Sequence, residues 1–144
     1  MRLICRAIDW NFGRQKMELE LNNLVKDFLR FRQFDFDSNV TLRGKNDREF
    51  QCSYLVHQSK DKNVDIGGRI GVIVKDWSRS CGYNVILEAE RLQVNTGLLK
   101  VMVCANQFSA TARELAEKLG ILTLTNGELV SIRKMYMQQP SFDP

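Results

Sequence analysis

The five residues Ile70-Gly71-Val72-Ile73-Val74 are apolar and largely β-branched, with no polar residue alternating among them. Such a run sits inside a sheet rather than at its edge. Apolar residues then switch to helical spacing at Val85, Ile86, Ala89 and Leu92, Gly97 supplies a stop, and Leu98 to Cys104 forms a second buried-type strand. Strand, helix and strand in this order make a β-α-β unit, whose two strands run parallel.

The rest of the chain must be compatible with that unit. Leu21, Leu24, Val25, Phe28 and Leu29 predict an amphipathic helix from Lys16 to Arg32, with Asn22, Lys26 and Arg30 on its polar face. Asp37 to Arg43 and Glu49 to Val56 read as an antiparallel hairpin turned at Gly44-Lys45-Asn46-Asp47. Thr111 and Glu114 have capping-box spacing ahead of a helix carrying Ala112, Leu115, Ala116 and Leu119 and closed by Gly120. Ile121 to Leu124 is a strand, and Thr125-Asn126-Gly127-Glu128 caps a last helix through Leu129, Ile132 and Tyr136. The expected order is α-β-β-β-α-β-α-β-α, an α/β domain of two or three layers with a mixed sheet. Residues 1–16 form a lead-in with a short strand at Leu3-Ile4-Cys5, residues 17–137 one domain, and residues 138–144 a frayed tail.

Composition narrows the function classes. With 44% hydrophobic and 26% charged residues, 9 Gly and 2 Pro, the chain is neither collagen-like nor low-complexity. No apolar run is long enough to span a bilayer, and Arg6 and Asp9 interrupt the apolar residues at the start, so a soluble, cytoplasmic protein without membrane partners is expected. Cys5, Cys52, Cys81 and Cys104 lie far apart without a C-x-x-C pair, which disfavours zinc and favours buried reduced thiols. His57 is the only histidine, leaving Cys52 with His57 as the one pairing for nucleophilic catalysis. The formal charge of +4 has its cation excess in residues 1–48 and permits attraction to nucleic acid.

Three segments carry a resemblance. Met17-Glu18 with Leu21, Leu24 and Val25 behind them resembles an F-E-x-x-V-x-x-L-L helix opening; Val72-Ile73-Val74-Lys75-Asp76-Trp77 looks like a strand that presents a lysine. Val101-Met102-Val103-Cys104-Ala105-Asn106-Gln107-Phe108-Ser109, followed by Ala112, Glu114-Leu115-Ala116, Gly120-Ile121 and Gly127-Glu128-Leu129, is similar to a "strand, x-x-x-F-S, A-x-E-x-A helix, G-I strand, G-x-x-L" ending. Together, over roughly Met17 to Val130, they resemble the Mrr-type branch of the PD-(D/E)xK restriction-endonuclease-like superfamily, which implies that superfamily's α-β-β-β-α-β-α-β core and mixed sheet flanked by helices.

In active relatives an acidic residue on the second meander strand and another two positions before the lysine bind magnesium, and the lysine activates the attacking water. Lys75 matches the lysine, but Ile73 stands at the second acidic position and Ser53 or Cys52 at the first. The resemblance therefore implies a degenerate metal site with no cofactor, or magnesium if the chain is catalytic. Glu88, 13 residues beyond Lys75, is the carboxylate that could have migrated to the following helix; Asp65 and Glu18 are further candidates for the metal, with Lys75 and Glu88 the catalytic pair. Arg69, Arg79, Arg43 and Lys45 join Lys75 as candidate nucleic-acid contacts, Trp77 reads as a core or rim aromatic rather than a base-stacking platform, and Gly67-Gly68-Arg69, a phosphate-cradle candidate without the helix and lysine of a P-loop, reads as a plain hairpin turn. The leading expectation is a non-catalytic DNA-binding domain. Its alternatives are a magnesium-dependent endonuclease and a protein-interaction module, such as a TATA-binding-protein interactor, with a partner in transcription or DNA repair; the sequence leaves the oligomeric state open, a homodimer among the alternatives.

Overall fold

The computed structural model describes residues 21–138. Helix α1 occupies residues 21–31 of that span, followed by β1 (Phe34–Arg43), β2 (Glu49–Ser59), β3 (Ile70–Lys75), α2 (Tyr83–Thr96), β4 (Lys100–Ala105), α3 (Ala110–Leu119), β5 (Leu122–Thr125) and α4 (Asn126–Met137). The strands form one sheet in sequence order, β1-β2-β3-β4-β5, antiparallel through β3 and parallel thereafter. The order of elements is the one the apolar periods predict. The lead-in and its strand, Lys16 to Glu20, and the tail after Gln138 lie outside the described residues.

The two crossovers from β3 to β4 and from β4 to β5 move along the sheet in one direction. A common hand therefore puts α2 and α3 on the same face. Val85, Ile86, Ala89 and Leu92 of α2 and Ala112 and Ala116 of α3 pack there on Ile73, Val101, Val103 and Ala105. The opposite face carries Val72, Met102 and Cys104 and is covered by Leu21, Leu24, Val25, Phe28 and Leu29 of α1 with Leu129 of α4. The result is three layers, helices on both faces of a mixed sheet. Each leucine fully removed from water here contributes about 1.5–3 kcal/mol.

Gly71 shows why a glycine stands in the middle of β3. A Cβ there would lie 2.8 Å from Leu98 Cδ1 and 3.5 Å from Leu92 Cδ2, so the leucine side chains at the end of α2 and just after it take up the space a side chain on residue 71 would need. Gly97 (φ 70) and Gly120 (φ 72) end α2 and α3 in the left-handed region.

Several boundaries and one cap differ from the sequence reading. β1 begins at Phe34, three residues early, because Gln33 (φ 59) turns the chain from α1 directly into the strand. β2 continues to Ser59 through a register shift that leaves His57 as an extra residue opposite Asp35 and Phe36. β4 and β5 start later than Leu98 and Ile121, whose side chains are buried in the approach to each strand. The cap of α3 is Ser109, whose hydroxyl accepts from Ala112 N–H at 3.1 Å, rather than the Thr111–Glu114 box. The Thr125–Glu128 box of α4 is formed in both directions.

Gly71→Val is expected to destabilise the protein by about 1–3 kcal/mol through overpacking against Leu98. Equilibrium urea denaturation checks this, and a paired Leu98→Ala change should recover part of the loss.

Candidate functional site: a fork between β2 and β3

Regular pairing of β2 with β3 covers Val56–Ile70, Leu55–Gly71 and Tyr54–Val72 and stops there. At the next step the Ser53 hydroxyl, not a backbone carbonyl, accepts the Val74 N–H at 3.0 Å. Both strands of the hairpin change face at this level. Phe36 and Val40 have the same parity yet belong to opposite core clusters, with Asn39 between them in the left-handed region (φ 51). Likewise Phe50 and Cys52 share the α2 cluster with Leu55, whereas Tyr54 and Val56 face α1. The outer hairpin thus bends onto α2, where a Cβ on Gly44 would meet the Phe50 ring at 2.7 Å and Asn95 at 3.1 Å.

Between the bent hairpin and β3 lies a cleft of about 380 Å³. Asn39, Gln51 and Ser53 line its hairpin side, Ile73 and Lys75 its β3 side, and Glu88 of α2 closes it. Lys75 Nζ stands 3.5 Å from Glu88 Oε2, with the lysine side chain 23% exposed and the glutamate 54%. The fold therefore brings together the two residues that the sequence offered as a catalytic pair. Ile73 is only 5% exposed and packs in the α2 cluster.

Lys75 also lies over the Trp77 ring, 5.4 Å from its centroid, and the Arg79 guanidinium carbon lies over the same ring at 4.5 Å. The segment that holds them is fastened to the ends of β4 and β5. Asn106 Nδ2 donates to Asp76 Oδ1 and to the Trp77 carbonyl, each at 2.9 Å, and Asn106 Oδ1 accepts from Asn126 Nδ2 at 3.2 Å. Cys81 N–H donates to the Gln107 carbonyl and Ser109 N–H to the Cys81 carbonyl. Nearby, Glu128 takes the Thr125 N–H and the Arg113 guanidinium. Partial burial pushes the Glu128 carboxyl up, but these hydrogen bonds outweigh it and hold the group below the ordinary value of 4.5.

The other sequence candidates are dispersed. Asp65 is exposed and its carboxylate caps Gly67 N–H at 2.9 Å in the loop before β3, so it does not supply the missing strand aspartate. Gly67-Gly68-Arg69 leads into β3 rather than into a helix, and Arg69 is exposed there. Arg43 and Lys45 are exposed at the outer end of the hairpin and do not line the cleft. Glu18 lies outside the described residues. His57 is exposed beside Asp37 (3.7 Å), while Cys52 is buried five strand positions away, roughly 17 Å along an extended chain. They cannot form a catalytic pair.

Burial pushes the Cys52, Cys81 and Cys104 thiols up, Cys104 to about 12. All three are buried and free, which makes them packing residues rather than nucleophiles. Among the described residues no group of three or more His, Cys, Asp and Glu side chains is placed to hold a metal ion. None of their helices is long and apolar enough to cross a membrane. Asn39 and Gln51 were not apparent as site residues. The one available signal was an asparagine in mid-strand, the residue type that best tolerates a left-handed backbone.

No family model matches the chain, and no curated protein does. Among solved structures, protein VC1899 from Vibrio cholerae is similar in fold, with a TM-score of 0.56 and 18% sequence identity. The match covers 82% of this chain and 31% of that protein, so the chain spans about a third of its structural relative. At this identity the likeness concerns fold alone.

Two outcomes follow. Ile73→Glu should cost on the order of 2–4 kcal/mol at neutral pH because it buries a charge, and Ile73→Val only about 0.5–1.5 kcal/mol. The glutamate penalty should shrink on acidification as the buried carboxyl protonates, which denaturation at two pH values would detect. Glu128→Gln should cost roughly 0.3–1 kcal/mol at pH 7 after solvent screening. Because the folded pKa is depressed, that difference should persist above 4.5 and fade as pH falls through the folded value.

Proposed function

We propose that this chain is a nucleic-acid-associated domain of the restriction-endonuclease-like fold, bound to DNA through its fork, in which the metal site of a nuclease has been dismantled. The observation that carries this reading is the composition of the cleft. Phosphodiester hydrolysis by a bound magnesium ion needs converging carboxylates that fix the cation while charge grows on the phosphoryl oxygens. Here the β2 position holds Ser53, whose hydroxyl is committed to Val74, and the β3 position holds Ile73, turned into the core. Glu88 is the sole carboxylate among the lining residues and is paired with Lys75.

What survives suits phosphate binding without cleavage. Lys75 places an ammonium at the cleft, and Arg79 places an exposed guanidinium over the same Trp77 ring that Lys75 approaches. Ammonium and guanidinium groups hold phosphates by charge-assisted hydrogen bonds and carry little sequence information. The mild net charge of +4 agrees with a contact of few phosphates.

A second reading has one observation in its favour. The 3.5 Å approach of Glu88 to Lys75 is the arrangement a migrated carboxylate would need in a magnesium-dependent endonuclease. A single carboxylate leaves most of the octahedral ligands to water, which makes tight magnesium retention unfavourable.

Purified protein is expected to leave supercoiled plasmid intact with magnesium or manganese while retarding DNA in a salt-sensitive manner. Lys75→Ala should weaken binding across sequences and lower the salt slope by about one. Metal-dependent nicking abolished by both Lys75→Ala and Glu88→Gln would instead establish the endonuclease reading.

A further inference from the structure

The segment between β3 and α2 is more firmly held than a connecting loop requires. Asn106 grips Asp76 and the Trp77 carbonyl, Ser80 Oγ donates to Gln107 Oε1 at 3.2 Å, and Cys81 forms a parallel bridge with Phe108. The fixed backbone presents a half-buried Trp77 whose inner side packs on the α2 cluster and over which the Arg79 guanidinium is laid. Among the described residues Arg79 has no ion pair, and it is exposed. An arginine stacked on a fixed indole has lost much of the side-chain freedom that phosphate binding would otherwise cost.

We propose that the Trp77–Arg79 stack at the mouth of the fork is a platform for single-stranded nucleic acid, with one base laid on the outer face of the Arg79 guanidinium and the adjoining phosphate directed to Lys75. The proposal rests on the nucleic-acid reading above and names the strand state that the site takes. Two observations favour a single strand over a duplex. A planar guanidinium backed by an aromatic ring offers a stacking surface, and unstacked bases bind such surfaces without regard to sequence. Lys75 is recessed, with 23% of its side chain exposed between the hairpin and α2. A duplex is stiff and carries its phosphates on the outside of a rod, so it meets Arg79 at the rim, whereas a flexible single strand can lower a phosphate toward Lys75. Asn39 and Gln51 on the opposite wall supply amide donors and acceptors that can meet the edge of any base.

The test compares oligothymidylate of about 12 nucleotides, within the ~4–16-nucleotide site sizes of single-strand binders, with a duplex of equal length at fixed salt. The expected result is single-strand affinity about tenfold higher or more, with the preference abolished in Arg79→Ala and not recovered in Arg79→Lys, which keeps the charge but not the plane. In a Trp10→Phe background, Trp77 emission should change on adding oligothymidylate, and Trp77→Phe should retain the single-strand preference in part. Arg79 is exposed, so its variants should melt like the parent, and Trp77→Phe preserves an aromatic ring on the core. Equal or tighter duplex binding, or Arg79→Lys behaving as the parent, overturns the stacking platform while leaving DNA binding in place. Failure of both oligonucleotides to bind removes the nucleic-acid reading itself, and the platform with it.

Discussion

One hydrogen bond governs the arrangement of the site: the Ser53 hydroxyl accepting the Val74 N–H. Had the β2–β3 ladder continued, its backbone carbonyl would have filled that role and the two strands would have stayed closed. The side chain instead satisfies the donor at the last point where the strands touch, so β2 can leave the sheet without orphaning a half-buried amide. Asn39 makes the matching concession on β1 by adopting a left-handed backbone. The hairpin then bends onto α2, and the cleft is the space left behind.

The chemistry of the cleft follows from its walls. β3 can send only alternate residues toward α2, so Ile73 and Lys75 share a direction while Val72 and Val74 face α1. Ile73 is absorbed by the α2 cluster, and Lys75, one pleat nearer the strand end, reaches the opening and meets Glu88. The cation and anion offset each other, and the remaining lining is dominated by neutral hydrogen-bonding groups. On the proposed reading, a phosphate reaching Lys75 would have to displace Glu88. The proposed loss of catalysis thus traces to two positions, one given to the core and one to the geometry of the fork.

Much of the fold was legible because burial imposes period. The β-branched run at Ile70–Val74, the helical spacing from Val85 to Leu92 and the glycines at 97 and 120 marked their elements without tertiary information. Boundaries set by single residues were less accessible: Gln33 turns α1 directly into β1, and Ser109 outcompetes Thr111 for the α3 cap. Within the site, Lys75 and Glu88 came from the family resemblance, which implies a lysine at that strand end and a carboxylate that can move to the following helix, and the fold sets the two 3.5 Å apart. Asn39, Gln51 and the Asn106–Asn126 network were not legible, because their roles arise from a change of face in the hairpin and from contacts between distant strand ends. At Asp65 the tight turn that Ile66-Gly67-Gly68 suggest is the one the chain makes. The local Asx turn with Gly67 took precedence over any long-range role.

The central claim is that Ser53 holds the fork open by carrying the Val74 amide, and amide hydrogen exchange at Val74 measures it most directly. In the parent protein that amide should be protected. In Ser53→Ala it should exchange about ten- to a hundredfold faster, the scale set by losing a half-buried hydrogen bond of ~1–3 kcal/mol, with the Leu55 and Val72 amides unchanged. Undiminished protection of Val74 in Ser53→Ala would contradict the account, since the strands would then be joined at that level by something other than the serine.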